Sequence, residues 1–189
     1  IKDLLALLSI LVDRRAMGLL RVAAGKARAV PLADIALLLS HLKKDDHEPL
    51  GWADALDSIQ AISPAGLDGL RGIAALLAGF ASDANPWTVL CQVLLDRTRA
   101  AAEIATADDL KARSRGIAIW QFMNFVRSQI AGQGLPISRL LTRIRRLVLF
   151  SDERDLRQLP AAAQGIDAVR LMTMHGSKGL EFRAVHIPG

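Results

Sequence analysis

Residues 169–182, VRLMTMHGSKGLEF, differ in texture from everything before them. Most of the chain is rich in Ala and Leu at helical spacing, whereas here a β-branched and apolar run stops at His175 and gives way to Gly-Ser-Lys-Gly. A strand over Ala168 to Met174, apolar on both faces as in a parallel sheet, is expected to lead through a turn or one-turn helix (GSKGLE) into a second strand, RAVHIPG. Two short strands cannot form a stable sheet alone, so the tail reads as a fraction of a larger one. Its glycine turn at the carboxyl end of a strand is the place where open α/β sheets bind ligands. Thr173, His175, Ser177, Lys178 and Glu181 are five polar groups gathered there: Ser177 and Lys178 suit phosphate, and Glu181 can accept from a sugar hydroxyl.

Upstream of the tail the punctuation is that of a helical protein. From Lys2 to Val22, apolar residues recur in steps of three and four, interrupted at Asp13 to Arg15, which predicts one helix or two short ones. Gly25 ends that segment and Pro31 opens a helix from Leu32 to about Lys43. The polar stretch KKDDHEPLGW reads as a surface loop. Helical spacing resumes from Trp52 to Ile62. Ser63 with Pro64, and Asn85 with Pro86, are cap-plus-proline starts; the first helix should reach about Ala81, and the second places Trp87, Leu90, Val93 and Leu94 on one face. TADDL, beginning at Thr106, predicts the start of the longest helix, which holds to AGQGLP and presents Trp120, Phe122, Phe125 and Val126 as a core stripe. A last helix spans Ile137 to Phe150. After Pro160, AAAQGID is a short linker, so the domain boundary is expected near residue 160.

Bulk properties narrow the function. With 51% hydrophobic residues, the 189-residue chain has enough apolar material for a folded core. No apolar run reaches the roughly 18 to 20 residues of a membrane span. The chain begins at Ile1 without a basic, apolar and small-residue leader, which reads as an excised fragment, and a single cysteine, which rules out an internal disulfide framework, fits a reducing cytoplasm. Its single cysteine, Cys91, has apolar neighbours at helical spacing and is expected to be a buried thiol. A formal net charge of +5 and a pI near 10.0 favour anionic partners. Arg139, Arg143, Arg145 and Arg146 lie within about two turns, able to follow a phosphate backbone or to form a solvated face; no aromatic residue is interleaved with them. GSKG lacks the spacing of the phosphate loop GxxxxGK[ST], and the histidines lack metal-ligand spacing, so no metal site is predicted.

The whole of residues 169–189 resembles motif V of the UvrD/Rep-type superfamily 1 DNA helicases, approximately V-x-L-M-T-x-H-x-x-K-G-L-E-F-x-x-V-x-x-x-G. The matching residues are Val169, Leu171, Met172, Thr173, His175, Lys178, Gly179, Leu180, Glu181, Phe182, Val185 and Gly189. The opening, IKDLLALLSILVDRRAMGLLRV, is similar to the segment by which these helicases leave the RecA-like domain 2A for the helical domain 2B. The resemblance implies a mainly α fold: a helical bundle-like 2B insert over residues 1–160, its first helix at the junction, then the 2A edge over 161–189, with two short β-strands of an incomplete RecA-like sheet.

For the site, the resemblance implies that Glu181 bonds the ribose of ATP, Gly179 allows close backbone approach, and Lys178 faces phosphate or is structural. It further implies that Thr173 and His175 contact the DNA backbone or relay nucleotide state to it. Many such 2B domains grip duplex through a Gly-Ile-Gly turn. Here GKARAVPLADI keeps Gly25 but not the second glycine, with Lys26 and Arg28 as candidate compensation; Arg139, Arg143 and Arg146 complete the candidate DNA contacts. ATP and Mg are implied for the parent enzyme, single-stranded and duplex DNA as partners, and repair or replication proteins beside them. The chain has no phosphate loop, no acidic magnesium site and no arginine finger segment, so it is expected to be catalytically inactive by itself. Two rivals remain at this stage: a stand-alone helical interaction module and a subunit of a helicase-nuclease complex.

Overall fold

Side-chain caps start three of the described helices and help fix where the chain turns there. A computed structural model describes residues 1–42, 51–129, 132–150 and 169–187. Within them α1 (Lys2–Ile10), α2 (Met17–Ala23), α3 (Leu32–Leu42), α4 (Gly51–Ala55), α5 (Pro64–Leu77), α6 (Pro86–Cys91), α7 (Ala100–Thr106), α8 (Leu110–Arg127) and α9 (Pro136–Leu149) follow in order. Ser63 Oγ accepts from the Gly66 amide at 3.1 Å, and Asn85 Oδ1 accepts from the Trp87 amide at 2.9 Å, so both expected caps form, each followed by proline at the first helical position. The DRR interruption is also explained. Asp13 accepts from the amides of Arg15 (2.9 Å) and Met17 (3.3 Å), separating α1 from α2 while supplying the second helix with an acceptor.

Several boundaries differ from expectation. The longest helix among the described residues starts after Asp109, whose Oδ1 accepts from the Ala112 amide at 2.8 Å. Thr106 instead closes α7, its hydroxyl donating back to the Ala102 carbonyl at 2.9 Å, as threonine does inside a helix. The segment expected to be helical from Trp52 to Ile62 is only α4 and one 3₁₀ turn, Leu56–Ser58. Helix α5 stops at Leu77, and Gly79 takes φ +77° directly afterwards, a backbone region open to glycine without strain. Past Cys91 the chain continues as a π-helical segment, Gln92–Arg97. Arg97 rises from its end to donate to the Leu76 and Ala78 carbonyls (2.9 and 2.7 Å) and lies 4.1 Å from the Phe80 ring centroid, capping α5.

One apolar cluster joins these helices. Leu8, Ile10 and Leu11 from the first helix and its exit, Leu19 from α2, Ile35 and Leu38 from α3, Leu70 and Ile73 from α5, Leu90 from α6, Phe122 from α8 and Ile137 from α9 are all buried within it. Helix α1 is central: it packs along α2 and also touches α6 and α9, drawing the two ends of the bundle together. At the α1–α2 crossing a Cβ on Gly18 would lie 2.1 Å from the Ala6 carbonyl oxygen, so only glycine permits that approach. Of the expected aromatic stripe, Phe122 and Phe125 are buried, but Trp120 is 54% exposed and points away from the core.

A polar brace crosses the first half of the bundle. Asp34, 4% exposed, accepts from the Ser63 amide (3.1 Å) and from the Ser63 hydroxyl (2.5 Å), tying α3 to the start of α5. Gly66 leaves room for it, since a Cβ there would sit 2.0 Å from Asp34 Oδ2.

The tail departs from expectation. Residues 169–187 contain no strand; the two predicted strands are absent from the described part, and a turn occupies 174–179. A strand draws its hydrogen bonds from a neighbour, and among the described residues no neighbouring strand is present, so the backbone bonds close locally instead. The expected domain boundary near 160 and the loop from Lys43 to Leu50 lie outside the described residues.

The brace makes a measurable difference. Asp34→Ala should lower unfolding stability by about 2–3 kcal/mol in urea, because a buried donor pair loses its acceptor. Asp57→Ala, which breaks the exposed Arg71–Asp57 pair (2.7 Å), should change it by less than about 1 kcal/mol.

Candidate nucleic-acid interface

Helix α9 buries Ile137, Leu140, Leu141 and Ile144, spaced by three and four residues. At about 100° per residue, Arg139, Arg143 and Arg146 fall together on the opposite side. That side borders a cavity of about 930 Å³ formed with the end of α8 and the start of α6. Arg127, Arg139, Arg143 and Arg146 all line it, with Trp87 and the Leu135–Pro136 step, and none of the described lining residues is acidic.

The four arginines are not equivalent. Arg139 Nη1 donates to the carbonyls of Gly132 (2.6 Å), Gln133 (3.2 Å) and Gly134, so this guanidinium folds the loop ahead of α9 onto the helix. Arg143 stands 5.7 Å from the Phe125 ring centroid, and Arg127 stands 5.8 Å from that of Trp87. These contacts hold the two cations near the cavity without neutralising them. Arg146 has no carboxylate partner among the described residues. The cavity therefore concentrates positive charge beside an aromatic ring.

The sequence points to Arg139, Arg143 and Arg146 as candidate contacts and gives no sign that Arg127 and Trp87 line the same cavity. Along the chain, no aromatic residue interrupts the α9 arginines; in space Trp87 arrives from α6, far earlier in the sequence. Only the packing of α6 against both α8 and α9 reveals the combination. A free arginine at the end of α8 and a tryptophan just after a cap were the available signals, and neither is specific.

The turn carrying Lys26 and Arg28 lies on the other half of the bundle. The Arg28 and Ala29 amides donate to the Gly25 carbonyl (3.0 and 2.8 Å), and the Val30 amide donates to the Ala23 carbonyl at 3.0 Å. Ala29 takes φ 47°, the left-handed conformation for which glycine is the usual residue. The Lys26 and Ala27 amides make no hydrogen bond among the described residues, and Lys26 is exposed. Arg28 is half-buried, its guanidinium lying over α5 at Gly72.

In the tail, His175, Lys178 and Gly179 lie in one tight turn, with Thr173 just before it and Glu181 two residues after it. The Thr173 hydroxyl accepts from the Gly176 amide (3.1 Å), the Thr173 carbonyl from the Ser177 amide (3.0 Å), and the His175 carbonyl from the Lys178 amide (3.4 Å). Gly179 ends the turn at φ +84°. His175, Lys178 and Glu181 are thereby held on one short exposed segment, with no hydrogen bond or ion pair linking their side chains.

Other chemistry is sparse. Among the described residues no three His, Cys, Asp or Glu side chains cluster as metal ligands, and no helix is long and apolar enough to cross a membrane. Cys91 is half-buried rather than fully enclosed; burial first, and then the Asp96 carboxylate, push its thiol above the ordinary value, which disfavours the nucleophilic thiolate.

With this geometry in view, comparison with known proteins is informative. The ATP-dependent DNA helicase PcrA of Bacillus subtilis (strain 168) is 30% identical over 102 residues, covering 54% of this chain and 14% of the helicase. The match thus spans a small part of that protein's length. No family model matches the sequence, and no solved structure does. The likeness supports a helicase-related region.

The geometry assigns Arg139 a structural part. Arg139→Ala should destabilise the fold by about 1 kcal/mol in chemical denaturation, discounted for its partial exposure. Arg139→Lys should recover only part of the loss, because an ammonium lacks the planar fork that spans adjacent carbonyls.

Proposed function

We propose that this chain is a piece of an ATP-dependent DNA helicase of the UvrD/Rep type: residues 1–160 form a 2B-like helical domain, and 161–189 are the edge of its 2A domain. The likeness to the Bacillus subtilis helicase is the observation that supports this most directly. The motif-like tail adds to it, since Thr173, His175, Lys178, Gly179 and Glu181 follow one another on a short segment after a long helical region.

In this reading the parent enzyme couples ATP hydrolysis to movement along single-stranded DNA. Magnesium, when bound with ATP, supplies charge neutralisation at the phosphates. Glu181 accepts from the ribose hydroxyls, Gly179 lets the nucleotide approach the backbone, and Lys178 faces phosphate. Thr173 and His175 connect the nucleotide side to the strand. The turn closes through its own backbone and through the Thr173 hydroxyl on the Gly176 amide, and the His175, Lys178 and Glu181 side chains remain exposed. The absent strands belong to this account as well: they take their hydrogen bonds when the rest of the RecA-like sheet stands beside them.

The helical part contacts DNA and regulates unwinding. Two surfaces suit phosphate. At the turn of Lys26 and Arg28, two unbonded amides and an exposed ammonium face solvent, the chemistry of a backbone anion site. Beside α9, Arg143 and Arg146 are cationic groups without carboxylate partners among the described residues.

The decisive measurement is on the parent enzyme. Glu181→Ala should weaken ATP binding about tenfold or more, the size of one lost hydrogen bond to a charged acceptor, with the fold unchanged because Glu181 is exposed. Unaltered nucleotide affinity would remove Glu181 from the site. The 189-residue chain alone should show no DNA-stimulated ATP turnover, since it has no phosphate loop.

A further inference from the structure

The cavity beside α9 has a composition that discriminates between forms of DNA. A duplex keeps its bases stacked inside and offers a rigid phosphate exterior, so it rewards a rim of cations and makes no use of an aromatic surface in a recess. An unpaired strand bends, and each of its bases has a π-face that stacks on aromatic rings or guanidinium planes. Here the cations do not stand on an open ridge. Arg127, Arg143 and Arg146 border a recess of about 930 Å³ that also contains Trp87, Leu135 and Pro136.

We propose that this recess binds single-stranded DNA, with phosphates on Arg143 and Arg146 and an unpaired base against the Trp87–Arg127 pair. The inference rests on the helicase reading above for the identity of the polymer and deepens it by assigning the α9 surface to the single strand.

Three observations favour this occupant. None of the described residues lining the recess is acidic, and four of them are arginines, which complements a polyanion. Trp87 is half-buried, anchored by the Asn85-capped start of α6, and needs little further ordering to act as a platform. Arg127 stands 5.8 Å from the Trp87 ring centroid, so a planar cation and an indole are paired at the recess. Arg139 holds the recess wall through its three carbonyl contacts and is a positioning residue.

The test uses the 189-residue chain with an oligothymidylate of about a dozen nucleotides, within the span that single-strand sites commonly cover. A fluorescently labelled oligonucleotide reports binding by anisotropy over a range of salt, against a duplex of equal length, inorganic polyphosphate and polyglutamate. The expected result is at least tenfold tighter binding of the single strand than of any competitor. Arg146→Ala should lower the slope of log affinity against log salt by about one unit or less, as expected for one lost phosphate contact on a single strand. Trp87→Leu should cost roughly fivefold or more in affinity while leaving that slope unchanged, and Trp87→Phe should restore part of the loss. Both positions lie outside the fully buried core, and circular dichroism of each variant checks the fold.

Equal or tighter binding of duplex overturns the inference and leaves the helicase reading standing. Full competition by polyphosphate, or an unchanged affinity in Trp87→Leu, overturns the base contact. Preference for polyglutamate reassigns the recess to an acidic protein. Failure to bind any nucleic acid also overturns it, whereas the parent assignment stands or falls separately on nucleotide affinity in Glu181→Ala.

Discussion

The orientation of α9 governs the candidate interface. Its apolar residues, Ile137, Leu140, Leu141 and Ile144, must leave water, and they do so against α1 and α6. Once that stripe is buried, helical geometry turns Arg139, Arg143 and Arg146 outward as a group. Burying the other face would place three guanidinium groups in the core, at a penalty far above what the apolar stripe contributes. The arrangement of charge at the surface is therefore a consequence of burial beneath it.

Polar contacts refine what burial begins. Asp34 reaches across to Ser63 at the start of α5, and Arg97 closes the end of the same helix through the Leu76 and Ala78 carbonyls. Both ends of α5 are thus specified by residues remote from it in sequence. The helix in turn supports the turn of Lys26 and Arg28: Val30 and Arg28 pack over Gly69 and Gly72, where any larger side chain would keep them away. Ala29 adopts its left-handed conformation in this setting, held by its own amide bond to the Gly25 carbonyl.

The tail obeys a different rule. A helix satisfies its backbone internally, so the bundle forms from the residues at hand; a strand depends on partners. Residues 169–187 bear the apolar pattern of a buried strand, yet Val169, Leu171 and Met174 are exposed. What persists is the one part with local hydrogen bonds, the turn from Thr173 to Leu180.

Features whose physics is local were legible in the sequence. The caps at Ser63 and Asn85, the break at Asp13, the helical character of the bundle and the turn at Gly176 to Gly179 each depend on residues within a few positions of one another, so the order of residues was enough to determine them. Competing local acceptors blurred the start of α8, where Asp109 rather than Thr106 caps. The sequence likewise determined that three arginines share one side of α9. Only the tertiary structure decided that Trp87 and Arg127 stand beside them, that Trp120 faces solvent, and that Arg139 is spent on the loop carbonyls. Those outcomes follow from which helices meet, and such meetings are set by the summed burial of the whole chain rather than by any short stretch of it.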